Sequence, residues 1–65
     1  MKIIVNGTAV ESAAPTLAAL LEELSKGDAK VATAVNERFV PVGLRAQTKL
    51  SAGDRVEIVA PRQGG

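Results

Sequence analysis

Lys2-Ile3-Ile4-Val5-Asn6-Gly7-Thr8-Ala9-Val10-Glu11 holds two short strands and the turn between them. Ile3-Ile4-Val5 is β-branched throughout, and Thr8 to Glu11 alternates polar with apolar. Asn6-Gly7 is the strongest two-residue hairpin signal, because a type I′ turn requires φ > 0 at both central positions. The chain therefore opens on a β-hairpin. Successive strand side chains point to opposite faces, so if Ile3 and Val5 face a core, Ile4 faces away from it.

Outward from the hairpin, Ser12 to Pro15 reads as a loop. Thr16 is a candidate N-cap, with Ser12 a weaker one. Leu17, Leu20, Leu21 and Leu24 then fall at i, i+3, i+4 and i+7, which is one face of a helix. Glu22, Glu23 and Lys26 occupy the opposite face, and Gly27 is the expected left-handed residue after the last turn. A helix of about ten residues is too short to persist alone, so its leucine stripe must lie against a sheet.

Further on, residues 31 to 35 alternate as a strand. Asn36-Glu37-Arg38 reads as a turn and Phe39-Val40 as a short extended piece stopped by Pro41, which has no N–H to give a ladder. The segment from Gly43 to Leu50 is the least regular; Leu44 and Leu50 are candidate plugs into the core. Ser51-Ala52-Gly53-Asp54 is a turn by composition. Arg55 to Ala60 is the last strand, with Val56 and Ile58 inward and Glu57 and Val59 outward. A hairpin, one helix and further short strands make an α+β layer pair, a mixed sheet packed on one main helix. If the first and last strands are parallel neighbours, Ile4 and Val59 meet on the open face. The domain then spans 1–60. Residues 61–65, Pro61-Arg62-Gln63-Gly64-Gly65, are expected to form a flexible tail ending in a diglycine.

Composition narrows the function. A chain of 65 residues makes one small domain with a thin stability margin. It has no Cys and no His, so disulfides, thiolate chemistry and most zinc sites are excluded. The core must be aliphatic, since Phe39 is the only aromatic in a chain that is 46% hydrophobic. Net charge is +1 with no basic block and no stacking platform, which argues against nucleic acid. No apolar run approaches the length of a membrane span. Nor does Met1 to Val5 make a signal peptide, and the lack of Cys fits the cytoplasm. There is no phosphate-binding glycine loop, and no spacing forces carboxylates or lysines together. No catalytic residue and no metal site is therefore expected. The diglycine stands out, because two residues without Cβ can lie extended in a narrow slot and present a bare carboxylate.

Taken together, four stretches resemble the ubiquitin-like sulfur carriers of the ThiS/MoaD family, most closely those of the thiamin pathway. They are Met1 to Gly7, Leu17-Ala18-Ala19-Leu20-Leu21, Ala34-Val35-Asn36-Glu37-Arg38-Phe39-Val40-Pro41, and Gly53-Asp54-Arg55-Val56-Glu57-Ile58-Val59 through Gln63-Gly64-Gly65. Pro61-Arg62 departs from the commonest form of the tail. The resemblance covers essentially the whole chain and implies a β-grasp fold. It also implies a cycle run by partners. A ubiquitin-activating-like adenylyltransferase joins the Gly65 carboxylate to AMP from ATP, a sulfur donor protein converts it to a thiocarboxylate, and a thiazole synthase takes the sulfur. On this reading ATP is used by the partner and no cofactor is bound by the carrier.

The resemblance and the strand parity together give the candidate site residues. Gly65 bears the sulfur; Gly64, Gln63 and Arg62 are recognised as a tail. Ile4, Val59 and Phe39 are candidates for an apolar docking patch. Asp54 and Glu57 could pair with basic groups of a partner, though exposed charges commonly serve only solvation. The alternatives within the fold are a carrier for molybdopterin or for a thiolated amino acid, and a modifier ending in an isopeptide bond. Outside it stands an interaction module whose diglycine is incidental.

Overall fold

A computed structural model describes residues 1–25 and 30–60. The opening hairpin is β1 (Lys2–Val5) and β2 (Thr8–Glu11), antiparallel, with Val5 opposite Thr8. Asn6 and Gly7 both have positive φ, at 50° and 83°, as the turn type demands. Thr16 caps α1 (Leu17–Glu23), its Oγ1 accepting from the Ala19 N–H at 3.2 Å. Ser12 takes another role. Its Oγ accepts from the Ala14 N–H and donates to Glu23 Oε1, tying the loop to the far end of the helix.

The helix is shorter than its leucine spacing suggests. It has seven residues and Leu24 is its C-cap, 36% exposed, while Leu17, Leu20 and Leu21 are buried. Ser25 already occupies the left-handed region at φ 61°. The chain thus leaves the helix before Gly27, which lies outside the described residues along with Lys26. Three leucines, not four, make the buried stripe.

Strand β3 (Ala32–Val35) pairs antiparallel with β4 (Arg38–Val40). The turn between them is tighter than the three residues the sequence suggests. Asn36 and Glu37 alone form it, at φ 51° and 71°, and Arg38 already belongs to β4. Pro41 then caps a 3-10 helix, Val42–Gln47. This resolves the irregular segment. Leu44 is half-exposed and plugs nothing, whereas Leu50 is buried. The difference arises just past the 3-10 helix. There Leu17 N–H donates to the Thr48 carbonyl and Leu50 N–H to the Pro15 carbonyl, so the chain is stitched to the entry of α1 and turns Leu50 inward.

The last strand, β5 (Arg55–Val59), completes a five-stranded sheet of order β2-β1-β5-β3-β4. It runs parallel to β1 and antiparallel to β3, so the sheet centre is built from the two ends of the described chain. Ile3, Leu17, Leu20, Val56, Val40, Leu50 and Ala14 form the core, flanked by Val5, Val10, Val35 and Ile58. Burial of each large aliphatic side chain is worth about 1.5–3 kcal/mol.

One core feature has no counterpart in the hydrophobic pattern. Arg45 of the 3-10 helix is 7% exposed. Its Nε donates to Thr33 Oγ1 at 3.2 Å and its Nη2 to the Val31 carbonyl. Thr33, also buried, donates its own hydroxyl to the Val40 carbonyl at 2.8 Å. The two polar side chains thereby join the 3-10 helix to both strands of the second hairpin.

Candidate functional site

The open face of the sheet and the end of β5 carry the residues that the sequence singles out. Val59 is 60% exposed and Phe39 69% exposed, both large for isolated surface aliphatics and aromatics. Their registers place them on one face. Val59 is level with Ala32, and Glu57 is level with Ala34, which is in turn opposite Phe39. Ala32 and Ala34 therefore form a low floor between the two taller side chains, with Glu57 on its margin.

Ile4 does not join them. It shares the face but is level with Arg55, and Val59 lies four residues further along β5. That is about 13 Å at the rise of a parallel strand. The expected side-by-side contact between Ile4 and Val59 fails because adjacency of strands does not fix their register. Ile4 borders a separate shallow hollow with Gly7, Glu37, Arg55 and Glu57.

Asp54 is engaged within the protein. Its Oδ2 accepts from the Ser51 N–H at 2.8 Å and its Oδ1 from Asn36 Nδ2 at 3.0 Å. Glu57 remains exposed on the open face. Arg62, Gln63, Gly64 and Gly65 lie outside the described residues, as does Pro61. Among the described residues, no group of three or more His, Cys, Asp or Glu could hold a metal ion. No helix there is long and apolar enough to cross a membrane.

Two asparagine side chains hold β5, and no sequence motif marks them for that role. Asn6 Oδ1 accepts from the Ile58 N–H at 2.9 Å, and Asn6 Nδ2 donates to the Ile58 carbonyl at 3.1 Å. At the other end of the strand, Asn36 Oδ1 accepts from the Arg55 N–H at 2.9 Å, while its Nδ2 reaches Asp54. Each hairpin turn thus opens with a left-handed asparagine whose side chain grips one end of β5. The available signal was that both turns begin with Asn, the residue whose short amide tolerates this conformation and bonds backbone groups.

Strand order, the crossing helix and the gripped central strand define a ubiquitin-like β-grasp domain. The ThiS family model matches residues 3–65, and the chain belongs to that family. The crystal structure of a thiamine biosynthesis protein (ThiS) from Geobacter metallireducens is similar over 100% of both chains, at 26% sequence identity and a TM-score of 0.83. A thiazole synthase of Paramagnetospirillum magneticum is 42% identical over 66 residues. That match covers 100% of this chain and 20% of the other, so the chain spans about a fifth of the length of this curated relative.

Proposed function

We propose that this chain is a sulfur carrier for thiazole formation, and that its working atom is the carbonyl carbon of Gly65. The observation that carries the reading is the extent of the family match, which includes Gly64 and Gly65 together with the whole β-grasp body. Composition supports it. Without Cys or His the chain has no side-chain thiol to hold sulfur and no imidazole to act as base, so the chemistry belongs to enzymes that act on it.

The proposed steps balance. A carboxylate oxygen of Gly65 attacks the α-phosphorus of ATP, and pyrophosphate leaves. Sulfur at the oxidation level of sulfide then attacks the acyl carbon, the bond to AMP breaks, and a thiocarboxylate remains. A carboxylate is ionised at neutral pH and is a poor acyl donor; AMP is a good leaving group, which is why adenylation must come first. The adenylating partner is of the ThiF type, and the sulfur acceptor is a thiazole synthase of the ThiG type. The relative named thiazole synthase supports this acceptor over a molybdopterin or amino-acid pathway, because its name ties a segment similar to this whole chain to thiazole formation. The exposed Val59–Ala32–Ala34–Phe39 surface is the proposed docking face.

Deletion of Gly65 tests the reading. With a purified ThiF-type adenylyltransferase, the intact chain should support exchange of pyrophosphate into ATP. The chain lacking Gly65 should support none while keeping its melting temperature. Equal exchange by both would overturn the assignment of the reacting atom.

A further inference from the structure

Beyond the reacting glycine, we infer that Asn6 is a positioning residue: its side chain fixes the end of β5 from which the diglycine segment continues, and so sets how well that segment is presented for adenylation. The inference rests on the proposed function and adds to it a residue far from Gly65 in sequence.

Strand β1 holds β5 by ordinary ladder bonds only as far as Asn6, whose own N–H donates to the Val56 carbonyl at 2.9 Å. After that the chain turns away through Gly7 into β2, and β1 offers no more backbone to β5. Ile58 would then face a missing partner on that side. The Asn6 amide supplies one, matching both the N–H and the carbonyl of Ile58 as a further ladder residue would. A side chain thus lengthens the parallel ladder by one step, next to the end of β5 at Val59.

This grip is local. Both of its hydrogen bonds are exposed, so water replaces them when they break and the fold does not depend on them. What is lost is the hold on the last strand residues from the β1 side, so that beyond Val56 the strand is fixed along its β3 edge alone. Transfer to a bound nucleotide requires the acyl oxygen to be held in near-attack geometry, and small misplacements are expensive in rate. Docking through the open face, by contrast, does not involve Asn6. The two effects should therefore separate into kcat and KM.

The molecule supplies its own control. Asn36 begins the other hairpin turn, has nearly the same φ, and makes two side-chain hydrogen bonds at the opposite end of β5. Glycine is compatible with positive φ at both positions, so Asn6→Gly and Asn36→Gly keep their turns and remove only the grips. Asn6→Asp is the intermediate case, keeping an acceptor for the Ile58 N–H and losing the donor to its carbonyl.

Steady-state pyrophosphate exchange with a ThiF-type adenylyltransferase should show kcat for Asn6→Gly reduced about tenfold with KM changed less than about twofold. Asn6→Asp should fall between it and the parent, and Asn36→Gly should match the parent. Amide hydrogen exchange on the free proteins should show Ile58 losing protection in Asn6→Gly only. An unchanged kcat in Asn6→Gly, or an equal fall in Asn36→Gly, would overturn the positioning role. Absence of exchange by the parent chain would instead overturn the proposed function.

Discussion

Glu37 sits at φ 71° in a two-residue turn, without the freedom that glycine has there. The equivalent place in the first hairpin is held by Gly7 at φ 83°. A β-hairpin of this length needs left-handed backbone at both turn residues whatever the side chain, and the β3–β4 register imposes it on Glu37. The ion pair of Glu37 with Arg55 is long, at 3.8 Å, and both side chains are exposed, so it offsets little. Glu37→Gly should therefore raise stability in urea by about 0.5–1 kcal/mol; a loss would show that the ion pair outweighs the backbone strain. Asn6-Gly7 was legible as a two-residue turn because its dipeptide rule matches its backbone; at Asn36-Glu37 a turn was legible but its two-residue length was not, because a glutamate seldom marks this turn. Arg45 was illegible for another reason. An arginine reads as surface from its charge alone, and only the assembled fold brings Thr33 and the Val31 carbonyl to it. Arg45→Ala should cost about 2–4 kcal/mol, because it empties a packed site and strands the Val31 carbonyl. A cost under about 0.5 kcal/mol, typical of surface changes, would contradict its structural role.

Among the elements, the helix shows what periodicity can and cannot give. The spacing Leu17, Leu20, Leu21 names the buried face correctly, and all three are buried. The same rule extends the face to Leu24, but there the backbone has reached its cap and Ser25 has turned left-handed. Helix ends depend on what the neighbouring elements leave to cover, and a spacing rule does not contain that. Leu20→Ala should cost about 3 kcal/mol and Leu24→Ala less than about 1 kcal/mol in equilibrium unfolding. Equal costs would mean that the fourth leucine is part of the core after all. The segment from Val42 to Leu50 obeys the same logic. Its Leu50 is buried through pairing with the helix entry, a contact between distant parts of the chain that no local pattern records.

For the whole molecule, the class of fold was legible from the order of elements, whereas the central pairing of the first and last strands stood in the sequence only as a condition that the structure meets. Relative register was not legible, which is why Ile4 fell away from Val59 and the proposed docking face moved toward Ala32, Ala34 and Phe39. Val59→Glu should leave stability within about 0.5 kcal/mol, since the side chain is mostly exposed already, while raising KM in pyrophosphate exchange with the proposed ThiF-type adenylyltransferase. An unchanged KM would remove this face from the account. The proposed reacting end stands out in the sequence as a diglycine, but the chemistry proposed for it comes from the family resemblance, since a diglycine has no side chain to announce one. Its role is tested most directly by the intact mass of the chain after incubation with a ThiF-type adenylyltransferase, ATP and a sulfide source, with fragmentation to locate any change. The account predicts a gain equal to the exchange of one oxygen for one sulfur, confined to Gly65. An unchanged mass, or a ladder of heavier conjugates joined through lysines, would contradict it.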